Sequence, residues 1–499
     1  MNKKIPTILK TAVVVVWVLL LVGLFKRDVF ITSVTADQQQ LLNRADREEY
    51  QGIYFKDAKI GYVVNNYTIG EENTVRIDQK AKMRINVSNM EHLIDLRLQA
   101  VLLADSTLRT FSFSFDSPFY RMSAEGEVVE GAVVFELTTG SNTIRNSIPV
   151  EQPPMLPTAR RGYLLTDTLN EGDKVKIPSF DPVSLTAKST VIEYKGRDRV
   201  LINGRVNNLH KFMENYSGAR INFWLDDNGD VVKEESPAGF VFLKEPKFKA
   251  LSFDETSDDL LAAVAVKISG TMPDLDELEQ LSYRLELPEG EAFDLDDGRQ
   301  QLEGSVLTVT REILQEYSGE QQGACDGAEA ALVSSPYIQA EDQEIVKQAR
   351  SLIEGRDGRL AQIKALADWV YTNIEKRPVL GIPDARTTFV NRVGDCNEHA
   401  ALFAALARSV GIPTHIAAGV VYHKEAFYYH AWNEVCVGDR WLSLDTTTNQ
   451  LPADVSHIQF LRGEMEEQVR IGALIGKLGI EVLPRNDSNK TTTPDNEKE

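Results

Sequence analysis

From Gly52 to about Lys249 the apolar residues recur with a period of two. Val75, Ile77, Ala81, Met83, Ile85 and Val87 alternate with Arg76, Asp78, Lys80, Lys82, Arg84 and Asn86. Ile94, Leu96, Leu98 and Ala100 keep the same period, as do Phe111, Phe113 and Phe115 against Ser112 and Ser114. Such alternation puts one face in a core and the other in water, so each run predicts a half-buried antiparallel strand. Lys56-Asp57-Ala58, Glu71-Glu72-Asn73, Glu125-Gly126 and Asp227-Asn228-Gly229 mark the turns. The last of these predicts a hairpin joining Ile221–Leu225 to Val231–Val232. Asp226 to Asp230 also has the residue types of a calcium loop, but its glycine comes too early and Pro237 stands where the closing glutamate belongs. Residues 50–250 therefore predict antiparallel all-β domains, with Glu151 to Pro157 joining two sheets or half-barrels. Alternation resumes at Val264, Val266 and Ile268, then at Tyr283, Leu285 and Leu287, then at Val306, Leu307 and Val309, predicting a small β unit over 254–312. This β region, Gly52 to Thr310, is expected to fold apart from the C-terminal part of the chain. The Gly- and Ala-rich stretch Ser318 to Ser335 reads as a linker.

The period then becomes helical. Ile345, Val346, Ala349, Leu352 and Ile353 form one stripe; Leu360, Ile363, Leu366, Ala367, Val370, Tyr371 and Ile374 form another, with Asp357 as N-cap. A third helix runs from Cys396 to Val410 and is ended by Gly411 and Pro413. Strands follow at Ile416 to Tyr422, Tyr429 to Val437 and Trp441 to Thr446, with a turn at Gly438-Asp439. Helices followed by antiparallel strands predict an α+β core over 336–465. The polar tail 485–499 reads as disordered.

The N-terminus changes the picture. Lys3, Lys4 and Lys10 precede an uncharged run that Lys26 and Arg27 close. Ile5 to Phe25 approaches the ~20 residues that cross ~30 Å of hydrocarbon. A cleavable signal peptide competes, with Val34-Thr35-Ala36 as a cut site, but it lies far from the apolar run. The reading taken is a single transmembrane anchor in 1–30, a polar linker from Thr35 to Tyr50, and folded domains outside the cytoplasm, periplasmic in a Gram-negative cell.

The formal net charge of −20, without a basic stripe beyond the N-terminus, argues against a nucleic-acid partner. Three cysteines, Cys325, Cys396 and Cys436, do not make a disulfide framework. A Cys325–Cys436 bridge is open to an extracytoplasmic protein, but Cys436 between Val435 and Val437 reads first as a small buried hydrophobe.

Cys396 differs. It follows the Gly394-Asp395 turn and begins an apolar helix, where backbone N–H groups favour a thiolate and lower its pKa. His430 and Asp445 lie downstream on strands that the Gly438-Asp439 turn places side by side. A thiol, a base and a carboxylate that orients the base are the parts of covalent acyl transfer. A zinc set of Cys396, His399, His423 and His430 can also be drawn, but paired ligand spacing is absent and Asp445 is left idle. His399 reads as structural. No cofactor or metal is expected.

Gly394-Asp395-Cys396, Gly411-Ile412-Pro413, His430-Ala431-Trp432-Asn433-Glu434-Val435 and Trp441-Leu442-Ser443-Leu444-Asp445 together resemble the papain-like transglutaminase core superfamily. Asp445 is followed by Thr446, where many members of that superfamily have proline. The preceding β region loosely resembles the half-barrels found before such cores in bacterial envelope proteins. The resemblance implies Cys396 as nucleophile, His430 as base and Asp445 as its orienter. It also implies a thiol enzyme acting on a protein or peptide substrate, by hydrolysis or by transfer to an amine. The alternative is a non-catalytic envelope module that binds or scaffolds.

Overall fold

The computed structural model describes residues 31–32, 47–140, 142–158, 161–165, 169–216, 218–252, 259–276, 278–317 and 323–484. The expected anchor and the tail 485–499 lie outside the described residues. Among the described residues no helix is long and apolar enough to cross a membrane.

Period-two patterning becomes one 15-stranded sheet. Its pairs are antiparallel, except that Ile31–Thr32 runs parallel to Lys174–Asp181. The chain enters in the middle with Arg47–Phe55, meanders outward to Asn142–Pro149, crosses to Lys174–Asp181 and meanders back to Phe240–Lys244. That last strand pairs with Arg47–Phe55. The two sheets expected on either side of Glu151 to Pro157 are thus one, because pairing satisfies N–H and C=O groups that two edges would leave open. Arg47 to Tyr50, read as linker, are already strand. The register sets Ile77 opposite Ala100 and Ala100 opposite Phe111, so their side chains share a face. Phe180 on the returning half meets Phe111 on the outgoing half, ring centroids 4.8 Å apart.

A second sheet has nine strands and joins segments that the sequence separates. The core supplies β1 (Thr414–His423), β2 (Ala426–Val437), β3 (Arg440–Leu444) and β4 (Ile458–Arg462). Val266–Ser269 pairs with β2 and with Gly479–Val482, which pairs with Gln280–Glu286. Gln280–Glu286 in turn pairs with Val306–Thr310. The strands between 266 and 310, expected to fold apart, therefore share a sheet and a core with β1, β2 and β4. Leu281, Tyr283, Leu285, Leu307 and Val309 pack with Val420, Phe427, Ile458 and Phe460. Alternation marks which face of a strand is buried; it carries no record of which neighbour buries it.

On the other side of the core strands one helix, Cys396–Ser409, packs against β1 and β2, and three more pack on it. The first two stripes form α1 (Gln343–Ile353) and α2 (Arg359–Asn373). Gly358, not Asp357, is the residue preceding α2. A short α3 (Ala385–Asn391), capped by Asp384, went unread in the sequence. The fourth, α4 (Cys396–Ser409), is buried from Glu398 to Arg408 and is the centre of the core. Ile345, Leu366, Val370, Val435 and Leu442 surround its Phe403 and Leu406. The large sheet meets this core through Tyr337, Val379 and Ile382, which pack among Phe111, Phe113, Tyr120 and Met122.

Cys325 and Cys436 form a disulfide across 111 residues. The reading of Cys436 as a simple buried hydrophobe is corrected: the Gly- and Ala-rich segment is tied covalently to β2. Both sulfurs are buried, beside Ala328 and Trp441.

Candidate active site

The site begins with a helix cap. The Asp395 carboxylate accepts from the Asn397 N–H at 2.9 Å, and the Glu398 carboxylate accepts from the Asp395 N–H at 2.8 Å, a capping box that ends the incoming chain at Cys396. Gly394 is required by close approach: a Cβ there would lie 2.3 Å from Cβ of Glu398. Cys396 is the first residue of α4, half-buried, and the free cysteine among the described residues. Its sulfur lies near enough to the His430 side chain and the Ala431 backbone N–H for both to favour the thiolate.

β2 carries His430 in register with Gly419 of β1. A Cβ on Gly419 would lie 2.0 Å from the Ile458 carbonyl oxygen and 2.9 Å from Trp432, so glycine lets β4 and the indole close in here. Trp432 stacks beside His430, centroids 6.2 Å apart and planes 20° from parallel. Asn433 donates to the Ala400 carbonyl at 3.0 Å, joining β2 to α4. Glu434 faces Arg462, which donates to it at 3.0 Å, so the glutamate of that motif serves the sheet.

Asp445 follows β3, in a turn closed by paired backbone hydrogen bonds with Gln450 of 2.8 and 2.9 Å. Its side chain is fully buried. Oδ1 accepts from the Thr447 N–H at 2.7 Å. Oδ2 accepts from Thr448 Oγ1 at 2.6 Å and faces His430 Nε2 at 2.9 Å. Thr446, in place of the family's proline, leaves this turn intact. Cys396, His430 and Asp445 thus come together in that order, with the other ring nitrogen of His430 free to serve the thiol.

Sequence reasoning missed His457. It lies in the loop before β4 and faces Asp445 Oδ2 at 3.3 Å and Asp454 Oδ1 at 3.1 Å. No periodicity marks it; only the Asp454-Val455-Ser456-His457 turn hints at a held imidazole. His399 is buried in α4, its Nδ1 2.6 Å from the Asp395 carbonyl, in keeping with a structural reading. His423 is exposed at the far end of β1, so the drawn zinc set is not assembled. The one group of metal-ligand types among the described residues is His430, Asp445 and His457, within 4.8 Å of one another. Their ligand atoms are directed at one another in hydrogen bonds, and no ion is assigned.

Electrostatics follow from this packing. Burial pushes the Cys396 thiol up from its ordinary value, against His430, which favours the thiolate; Asp395 adds to the rise. The expected net fall at the helix start is therefore corrected, because desolvation outweighs the neighbours. Burial also disfavours a charged His430, but Asp445 and then Cys396 overcome it and raise His430 to about 10. Asp445 is held well below the carboxylate range, His430 and His457 outweighing its burial. The imidazole beside Cys396 is cationic at neutral pH, and its partner carboxylate is ionised.

A cavity of about 170 Å³ lies beside the start of α4, lined by Tyr337, Val379, Asn397, Glu398, Ala401 and Met465. Cys396, His430 and Asp445 do not line it, although Asn397, next to Cys396, does.

Residues 346–446 match the family described as Transglutaminase-like superfamily. The α+β core is therefore a transglutaminase-like domain, preceded by a large antiparallel β region. No curated protein matches the chain. Among solved structures, a proposed cysteine protease from Cytophaga hutchinsonii is similar at 16% identity, over 40% of this chain and 83% of its own, with a TM-score of 0.28. A β-barrel-like domain of unknown function from Brucella abortus is similar at 13% identity, over 40% and 96%, with a TM-score of 0.30. A proposed protease from Parabacteroides distasonis is similar at 10% identity, over 79% and 69%, with a TM-score of 0.20.

Proposed function

We propose that the chain is a thiol enzyme of the transglutaminase-like kind that acts on amide or peptide bonds of a protein or peptide substrate. The observation that carries this reading is His430, set beside the Cys396 thiol and held on its Nε2 side by buried Asp445. From the ion-paired form, in which the thiol proton already sits on His430, Cys396 Sγ attacks the carbonyl carbon. His430 returns that proton to the departing amine, leaving a thioester on Cys396. Water, or a second amine, then attacks the thioester; His430 takes the attacker's proton and gives it back to the sulfur. Asp445 keeps one tautomer and stabilises the imidazolium. The Cys396 N–H at the helix start is the expected oxyanion donor.

The reading includes a membrane tether through Ile5 to Phe25, with the folded domains outside the cytoplasm. The test is acyl capture. The full-length protein is incubated with a protein digest, and the mass of Cys396 is followed with and without an added primary amine. A Cys396 thioester adduct, absent from Cys396→Ala, is expected. Intact substrates together with an unmodified Cys396 would leave the non-catalytic module as the better reading.

A further inference from the structure

Asp445 carries a second imidazole. The His457 side chain is 1% exposed and is set between two carboxylates, Asp445 at 3.3 Å from Nε2 and Asp454 at 3.1 Å from Nδ1. Both carboxylates are surrounded by donors. Asp445 accepts from the Thr447 N–H and from Thr448 Oγ1. Asp454 accepts from the Ser456 N–H at 2.8 Å, Ser456 Oγ at 2.6 Å and Gln450 Nε2 at 2.9 Å. Such surroundings favour ionised carboxylates, which only accept hydrogen bonds. An imidazole that faces acceptors at both nitrogens satisfies both only when each carries a proton.

We propose that His457 is a positioning residue for the thiol chemistry, a standing imidazolium that holds Asp445 in place and shares its negative charge, so that His430 and Cys396 exchange their proton at a lower pH. The inference rests on the reading of Cys396 as nucleophile.

Few other charges face His457. His430 is 6.0 Å away between ring centroids, and Trp432 closes the remaining side at 5.2 Å. Arg299 donates to the Asp454 carbonyl at 2.6 Å and is paired with Glu312 at 3.4 Å, so its charge is largely matched. Tyr283 donates to the Val455 carbonyl at 2.9 Å. Lys376 and His399 act on Asp445 from the α4 side. His457 is therefore the cation in direct contact with Asp445 besides His430. Its removal leaves Asp445 to act on His430 alone and deletes a positive charge 6.0 Å from the His430 ring. Both changes favour protonated His430 and so move the loss of the proton that His430 and Cys396 share to higher pH. For a charge about 6 Å from the His430 ring at an effective dielectric near 20, that imidazole's shift is about one to two pH units.

The experiment is the pH dependence of Cys396 alkylation by iodoacetamide, in full-length wild type, His457→Gln and His457→Lys. The expected result is a midpoint about one pH unit higher in His457→Gln, with His457→Lys restored toward wild type. A His457→Gln midpoint equal to wild type, in a protein of unchanged circular dichroism, overturns the proposal. Histidine ¹⁵N NMR of the wild type provides a measurement independent of variant folding. Two imidazoles, those lost in His457→Gln and His430→Gln, are expected to keep both ring protons at pH 8; a neutral His457 overturns the proposal. A wild-type Cys396 that titrates like an ordinary free thiol and forms no adduct instead sinks the nucleophile reading beneath it.

Discussion

His430 Nε2 lies 2.9 Å from Asp445 Oδ2, although 15 residues separate them. The β2–β3 hairpin closes that gap: its register sets Asn433 opposite Leu444, which brings Asp445 level with Trp432 and diagonally across from His430 on the same face. Burial of the Asp445 side chain then makes the contact strong, because water does not screen it.

Replacing Asp445 with asparagine keeps its volume but removes the charge that holds His430 protonated. Substrate acylation of Cys396 is expected to fall on the order of 10²- to 10⁴-fold while the fold survives. Single-turnover adduct formation measures this. An unchanged rate would show that His430 needs no orienting carboxylate.

Cys396 is expected to be alkylated alone in the unreduced native protein, since Cys325 and Cys436 are joined. Mass spectrometry should find one carbamidomethyl group before reduction and three after reduction and unfolding. Modification of Cys436 without reductant would mean that the segment around Cys325 is not tied to β2.

His430 links stability to pH. Its pKa is about 10 in the folded chain and near 6.5 unfolded. Between these values the native state holds the extra proton, so stability falls as pH rises. The contribution is complete below about pH 6.5 and disappears as pH passes through about 10. Thermal unfolding from pH 6 to 10 should show a steeper loss in wild type than in His430→Gln. Parallel curves would contradict the charged imidazole.

Gly394→Ala is expected to destabilise the protein by about 1–3 kcal/mol, because its methyl group meets Glu398 and forces the capping box apart. Denaturant unfolding measures the loss, and alkylation of Cys396 should change with it. A stability equal to wild type would mean that the cap shifts without strain.

A fragment beginning at Pro336 is expected to fail as a soluble unit, whereas one beginning at Asp259 should fold. The shorter piece uncovers the faces of Val420, Phe427, Ile458 and Phe460 that Tyr283, Leu285 and Val309 cover. Near-ultraviolet circular dichroism and sedimentation distinguish the two. A cooperative, monomeric 336–484 fragment would show that the shared sheet is dispensable to the core.

Much of the local structure was legible in the chain. Period-two runs such as Val75 to Val87 became strands because alternation is itself the geometry of a half-buried sheet. The stripes after Glu341 became helices for the corresponding reason at a period of 3.6. Cys396, His430 and Asp445 were readable because each sits in a short motif whose neighbours, Gly394 and Trp432 among them, answer to local contacts. What only the tertiary structure decided depends on partners distant along the chain. The pairing of Phe240–Lys244 with Arg47–Phe55, the sharing of a sheet between residues 266–310 and the core, and the Cys325–Cys436 bridge are of this kind. His457 belongs with them, since its place on Asp445 comes from a loop that no period describes. The sign of the Cys396 shift was likewise set by burial among side chains from several elements. Local pattern dictates backbone conformation and which face is apolar; desolvation and pairing depend on what the rest of the fold brings alongside.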